Sequence, residues 1–295
     1  MELSELMAII SAAGGGTNAI AYAKVLLPKI ERMKNLDQGE KLLRQLRTAR
    51  EAGDFRGRLL ELNFADLFLQ SGHTLEYGAK QGRSGDIDFC WRANSRRIFF
   101  ELKLLGESQS KDKTMEGESA VNVKIGDDLE RLDTSDIVRL QRDLMLKSST
   151  KKFKSVPDVD WINLVVVDVS ELQLGTVDVG DCLLAAGGNP LVSRYCNETF
   201  MRDGIVGVFE KPSSDAAFST AQLKWIEEVI RPPVGVSHPR DYIHGALFLF
   251  RVPAEKAALS YDLSAALVWN AGLIAEDIGN EVASAIHGVI PQVGL

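Results

Sequence analysis

Between Asp86 and Leu104 the chain runs as two strand-like segments, Asp86–Trp91 and Ile98–Leu104, on either side of Ala93–Asn94–Ser95–Arg96. Asn-Ser at the centre of such an interruption suits a tight turn, so the segments are expected to form an antiparallel hairpin. With the turn centred between Asn94 and Ser95, Asp86 faces Lys103, Asp88 faces Glu101, Phe89 faces Phe100 and Trp91 faces Ile98. Side chains alternate between the faces of a strand. This register therefore sends Ile87, Phe89, Trp91, Ile98, Phe100 and Leu102 to one face, and Asp86, Asp88, Glu101 and Lys103, beside Cys90 and Phe99, to the other. A slip of one residue would destroy the sorting, so the pattern itself specifies the pairing.

Three carboxylates on one face of a hairpin repel one another, and any burial adds several kcal/mol per unpaired ion by order of magnitude. A hard divalent cation resolves the conflict, because Mg²⁺ takes oxygen ligands and retains several waters. Such an ion can lower the pKa of a bound water and stabilise charge on a phosphoryl oxygen. A lysine beside it can orient or deprotonate the attacking water, or neutralise the transition state.

Gly85-Asp86-Ile87-Asp88-Phe89, followed by Phe99-Phe100-Glu101-Leu102-Lys103, resembles the signature of the PD-(D/E)xK, or restriction-endonuclease-like, nuclease superfamily. The resemblance implies Mg²⁺, with Mn²⁺ as a substitute, held by an Asp of the first strand and by Glu101. Lys103 completes that site. The family position immediately after the turn favours Asp86 as the metal ligand, whereas the register sets Asp88 opposite Glu101, and both remain open. Gly85 stands where the family often has proline. Many members add a glutamate from a preceding helix. Glu61, in Gly57-Arg58-Leu59-Leu60-Glu61-Leu62-Asn63-Phe64, fits that place, with Ala65 and Phe68 on the same face. Some members also place a Gln of the following helix at the site, which makes Gln141 a candidate. Arg139 and Arg142, with Lys147, Lys151, Lys152 and Lys154 beyond, could touch phosphates, which gives affinity without reading sequence. A solvated helix end accounts for these cations equally well.

The 295 residues suit one elaborated domain, or a core with an extension. We expect an N-terminal helical extension over 1–52 and an α/β domain over 53–295, a mixed central sheet flanked by helices. Helices are expected at Ala19–Lys34, Gln38–Ala52, 56–70, 130–148, Asp181–Ala186 and 219–230. Strands are expected near His73–Tyr77, at Trp161–Val169, Ile205–Phe209 and Ala246–Arg251, before a helical tail. Residues 106–128, polar and too long for an ordinary connection, read as a mobile flap or a disordered stretch. Lys41, Arg44, Arg47 and Arg50 form a ridge on the third helix that is either a solvated face or a phosphate contact.

The formal charge of −7 argues against broad coating of nucleic acid, so a substrate phosphate must meet a local basic patch. Cys90, Cys182 and Cys196 contain no CxxC pair, and the acidic N-terminus lacks the front of a signal peptide, so a cytoplasmic protein without a membrane anchor is expected. Gly14–Gly16 is not followed by the Gly-Lys-Ser/Thr of a P-loop, and His73, His238, His244 and His287 make no ligand spacing. His238 and His244 read as surface-loop residues, Gly187–Pro190 as a turn, and Trp161, Trp225 and Trp269 as core. The expected function is metal-dependent phosphodiester hydrolysis, on DNA rather than RNA, by a chain that acts alone, as a homodimer or within a larger assembly. The alternatives are a non-catalytic nucleic-acid- or protein-binding module, and a subunit of a defence or repair complex that is inactive alone.

Overall fold

The computed structural model describes residues 2–12, 19–49, 51–81, 85–105, 132–148, 152–153, 160–170, 177–196, 204–211, 218–232, 234–252 and 262–293. The expected flap at 106–128 lies outside them, as do Gly14–Gly16, Arg50, Lys151 and Lys154. Four helices come first: α1 (Leu3–Ile10), α2 (Ala19–Met33), α3 (Gly39–Thr48) and α4 (Ala52–Gln70). Strands β1 (Leu75–Ala79), β2 (Ile87–Ala93) and β3 (Arg96–Leu104) follow, then α5 (Leu132–Ser148) and β4 (Trp161–Asp168). The chain continues through α6 (Val179–Gly187), α7 (Asn189–Cys196), α8 (Thr220–Glu228), β5 (Gly245–Val252), β6 (Asp262–Trp269) and α9 (Glu276–His287). The protein is α/β, built on a six-stranded mixed sheet in the order β1-β2-β3-β4-β5-β6. β3, β4 and β5 run parallel, while β1–β2, β2–β3 and β5–β6 pair antiparallel.

Strand alternation divides the apolar residues between two cores. Phe89, Trp91, Phe100, Leu164, Val166 and Leu247 face one side, where α1–α4 and α9 cover them. Phe99, Val165, Val167, Ala246 and Phe248 face the other, beneath α5–α8. The residues of the expected N-terminal extension share the first core with the sheet, through Leu6, Leu26, Ile30 and Leu43 among others. Polar bonds tie α2 to α4 as well: Arg32 holds buried Asp66 through two N–H donors at 2.6 and 3.0 Å, and Lys29 donates to Asn63 at 2.6 Å.

The hairpin has the expected register, with Phe89 opposite Phe100 and Trp91 opposite Ile98. Asn94 takes φ 54° at the turn, a left-handed conformation that asparagine tolerates better than most residues. Ile87 departs from the sorting. With its β1 partner Ala79, at the end of the twisted pair, it packs into the second core.

Three local expectations are corrected. Residues 205–209 form no strand. Their N–H groups instead bond the last carbonyls of α6, Val208 to Ala185 and Phe209 to Ala186. Gly207 allows this approach, since a Cβ there would strike the backbone nitrogen of Gly188. The Gly187–Pro190 turn leads directly into a helix, α7, with Gly188 at φ 84°. The C-terminal region is not wholly helical, because Asp262–Trp269 pairs along the whole of β5 as strand β6.

Candidate active site

The acidic residues converge where α4, β2 and β3 meet. Glu61 lies on the buried side of α4 and is 7% exposed. Its two carboxylate oxygens are both engaged, by Arg58 Nη1 at 2.6 Å and by the Tyr77 hydroxyl at 2.8 Å. The Tyr77 hydroxyl also lies 2.5 Å from the Gln45 side-chain oxygen of α3, so its single proton is shared between Glu61 and Gln45, and burial together with the Glu61 charge pushes its phenol well above the usual range. Burial works against the Arg58 charge, but Glu61 outweighs it and the net shift is upward.

Asp88, half-buried on β2, accepts the Leu102 N–H at 2.7 Å through Oδ2. That bond crosses the hairpin where the expected register sets Asp88 opposite Glu101. Burial, then the charges of Glu101 and Glu61, push the Asp88 carboxyl up to about 7. The Lys147 charge and the Leu102 bond act in the opposite sense without cancelling the rise.

Glu101 is wholly buried in the middle of β3. Its Oε1 accepts from Lys147 of α5 at 2.9 Å and from Lys152 at 2.6 Å, whereas its Oε2 is buried without a hydrogen-bond partner. An orphaned buried carboxylate oxygen is costly unless something positive takes it up. Burial disfavours the Lys147 ammonium, but Glu101 and then Asp88 more than offset it, so the Lys147 pKa is raised.

The Asp86 carboxylate does not join this group. It is bound by Lys41 and is 36% exposed, and that hydrogen bond holds its pKa below the ordinary carboxylate value. Lys80 and Lys152 add to the same effect. Of the two aspartates that the sequence leaves open, Asp88 is the one on which the Glu101 and Glu61 charges act. It lies within β2, next to the Phe89–Phe100 pair, whereas Asp86 precedes the first residue of β2. Lys103 lies beyond Glu101 on the same strand, 35% exposed, with its ammonium 3.4 Å from Asp143 of α5.

The expectation for Gln141 is corrected. It is fully buried, its amide donates to the carbonyls of Ala185 (3.0 Å) and Val206 (2.8 Å), and its oxygen accepts from the Trp225 indole at 2.8 Å. It fastens α5 to α6, to residues 204–209 and to α8, with both amide hydrogens engaged in the core. Arg139 is half-buried and already engaged, and Arg142 is exposed. His244 is a core residue rather than a loop residue. Its Nδ1 accepts from the Asn163 N–H at 3.0 Å, and burial lowers its pKa to about 4. His238 caps the 3₁₀ turn Pro239–Asp241. Cys90 and Cys182 are buried and unpaired.

The acidic group is ringed by cations. Lys41 and Lys80 act on Asp86, Lys147 and Lys152 on Glu101, Arg58 on Glu61, and Lys103 stands beside Asp143. Tyr77, Lys147 and Lys152 were not expected to hold the carboxylates. The lysines read as phosphate contacts or as a solvated helix end, and Tyr77 carried no signal beyond its place in a short strand. A separate cavity of about 530 Å³ between α6, α7, β6 and α9, lined by Leu183, Arg194, Trp269 and His287 among others, shares no residue with the acidic group.

Among the described residues no three His, Cys, Asp or Glu side chains stand in an arrangement that would hold a metal ion. Mg²⁺ is usually held by one or two carboxylates and several waters, and the donors here fit that habit. The Glu101 Oε2 lacks a partner, and Asp88 is raised in pKa by its carboxylate neighbours. No helix among the described residues is long and apolar enough to cross a membrane. No family model, curated protein or solved structure matches this chain.

Proposed function

We propose that the chain is a Mg²⁺-dependent nuclease of the PD-(D/E)xK type, with a restriction-endonuclease-like core, that hydrolyses phosphodiester bonds in nucleic acid. DNA is the substrate the resemblance favours. The observation that carries this reading is the buried, partnerless Oε2 of Glu101, on a carboxylate whose charge acts on Asp88 together with that of Glu61. Packing alone does not account for three acids placed so that one of them stays protonated to about pH 7.

Asp88 and Glu101 would hold the cation, and Glu61 would bind one of its waters or a second ion. Bound there, the ion lowers the pKa of a coordinated water and stabilises charge on a phosphoryl oxygen. Lys103 positions or deprotonates the attacking water, or neutralises the charge that builds on the phosphate. Arg58 and Tyr77 fix the Glu61 carboxylate through both of its oxygens, so that it does not swing away when the substrate arrives. Lys41 and Lys80, whose charges act on Asp86, would supply phosphate contacts.

The test pairs two variants. Glu101→Ala removes a ligand and should abolish both Mn²⁺ binding, measured by calorimetry, and cleavage of plasmid and short single strands. Lys103→Ala should spare Mn²⁺ binding and slow cleavage by about 10²–10³, the usual worth of an electrostatic stabiliser. Assays belong at low salt, where phosphate contacts are not screened. A parent protein that binds no Mn²⁺ and cuts no substrate would leave the non-catalytic binding module as the better reading.

A further inference from the structure

Glu101 is bound in a lopsided way. One oxygen takes two ammonium groups at 2.9 and 2.6 Å, and the other, equally buried, takes none. Both lysines reach the carboxylate from outside the strand. Lys147 comes from the last turn of α5, and the stem of Lys152 passes over Gly85, 3.2 Å from where a Cβ there would sit. Neither lysine is sealed in: each keeps about a quarter of its side chain exposed, 27% and 26%. Lysine has a flexible stem and a compact charge, so an ammonium can leave one partner and find another within a few ångströms without backbone movement.

Resting on the nuclease reading, we infer that Lys147 and Lys152 stand in for the metal on Glu101 and become phosphate-binding residues when the metal displaces them. In the metal-free protein they balance a carboxylate that burial would otherwise make untenable. A divalent ion held by Asp88 and Glu101 would supply the same charge, with the partnerless Glu101 Oε2 available to bind it. The pull of Glu101 on the lysines would then weaken, and a substrate phosphate would offer them another anion. Metal and nucleic acid thereby bind with positive coupling, and by reciprocity each raises the affinity for the other.

The geometry predicts a response that a purely structural ion pair would not give. Removing one lysine removes a competitor, so Lys147→Gln and Lys152→Gln should each bind Mn²⁺ more tightly than the parent, by about tenfold if one ammonium is worth a surface-to-buried pair. The same variants should lose most of the gain in affinity that Ca²⁺ confers on a fluorescent DNA duplex, followed by anisotropy. Each single variant leaves one lysine on Glu101, so folding is retained, and the neutral Gln keeps the stem. Variants that bind Mn²⁺ no tighter than the parent, or that keep the full Ca²⁺-dependent gain, would overturn the inference while leaving the nuclease reading intact. A parent that binds no Mn²⁺ would overturn both.

Discussion

Replacing Asp88 by Asn should stabilise the metal-free protein, and only above a certain pH. The Asp88 carboxyl titrates at about 7 in the fold against an ordinary value of 3.8. Between those values the folded chain keeps a proton that the unfolded chain has released. Unfolding then releases a proton, so stability falls as pH rises from about 4 to about 7 and is level above that. The shift of roughly three units sets a ceiling of about 4 kcal/mol, at 1.4 kcal/mol per unit. Asp88 is only half-buried, and solvent screening should reduce the effect to about 1–2 kcal/mol. Asn keeps an oxygen for the Leu102 N–H and cannot ionise, so its profile should be flat where the parent declines. Urea unfolding in EDTA at pH 4, 5, 6, 7 and 8 measures this directly: the two proteins should agree near pH 4 and separate progressively up to about pH 7. Saturating Mn²⁺ should reverse the order, because the parent gains binding energy, about 2.7 kcal/mol at a hundredfold excess over Kd, that the variant lacks. Parallel pH profiles for parent and Asp88→Asn would refute the placement of Asp88 among the acids.

Two further outcomes follow from the packing. Gln141→Leu should cost about 3 kcal/mol or more, seen as a lowered urea midpoint, because the Ala185 and Val206 carbonyls and the Trp225 indole lose their partner in the core at about 1–3 kcal/mol each; Mn²⁺ affinity should stay unchanged, and a stable variant with weakened substrate binding would restore Gln141 to the site. Gly85→Ala should cost about 1–2 kcal/mol by the same measurement, because Gly85 stands at φ 81° with Lys152 packed against it, whereas an unchanged midpoint would show that the turn adapts.

Much of the hairpin was legible from alternation alone. Five of the six apolar residues share the face that the register assigns them, Ile87 excepted, and the structure pairs Phe89 with Phe100 as that register requires. Glu61 was legible for a similar reason: an acid at helical spacing from Ala65 and Phe68 has to be buried or exceptional. What escaped the reading lies at long range. Lys147 and Lys152 reach Glu101 from 46 and 51 residues away, and nothing in local spacing records that contact. β6 escaped because Leu263–Val268, rich in Ala and Ser, suits helix or strand, and only its pairing with β5 decides. Gln141 could have been placed correctly. Ile137, Leu140 and Leu144 stand at i−4, i−1 and i+3 from it, which puts its side chain on the buried face of α5.

The PD-(D/E)xK nucleases that the hairpin resembles often have proline at the position of Gly85, and here it is excluded by geometry. A proline ring fixes φ near −65°, and this backbone turns through +81° just before β2. The left-handed turn brings the stem of Lys152 across Gly85, so the substitution that departs from the resemblance is coupled to the one cationic arrangement the resemblance does not describe. The same local logic reconciles an acidic chain with a polyanionic substrate. A phosphate responds to charges within about one Debye length, some 8 Å at physiological salt, and hardly at all to the total. Around the site, Lys41, Lys80, Lys103, Lys147, Lys152 and Arg58 face Asp86, Asp88, Glu61, Glu101 and Asp143, and Asp88 carries a proton until about pH 7. The negative balance of the chain, formally −7 overall, therefore lies outside this group. On the proposed nuclease reading, nucleic acid would be repelled by most of that surface and would engage at the acidic cluster rather than coat the chain non-specifically.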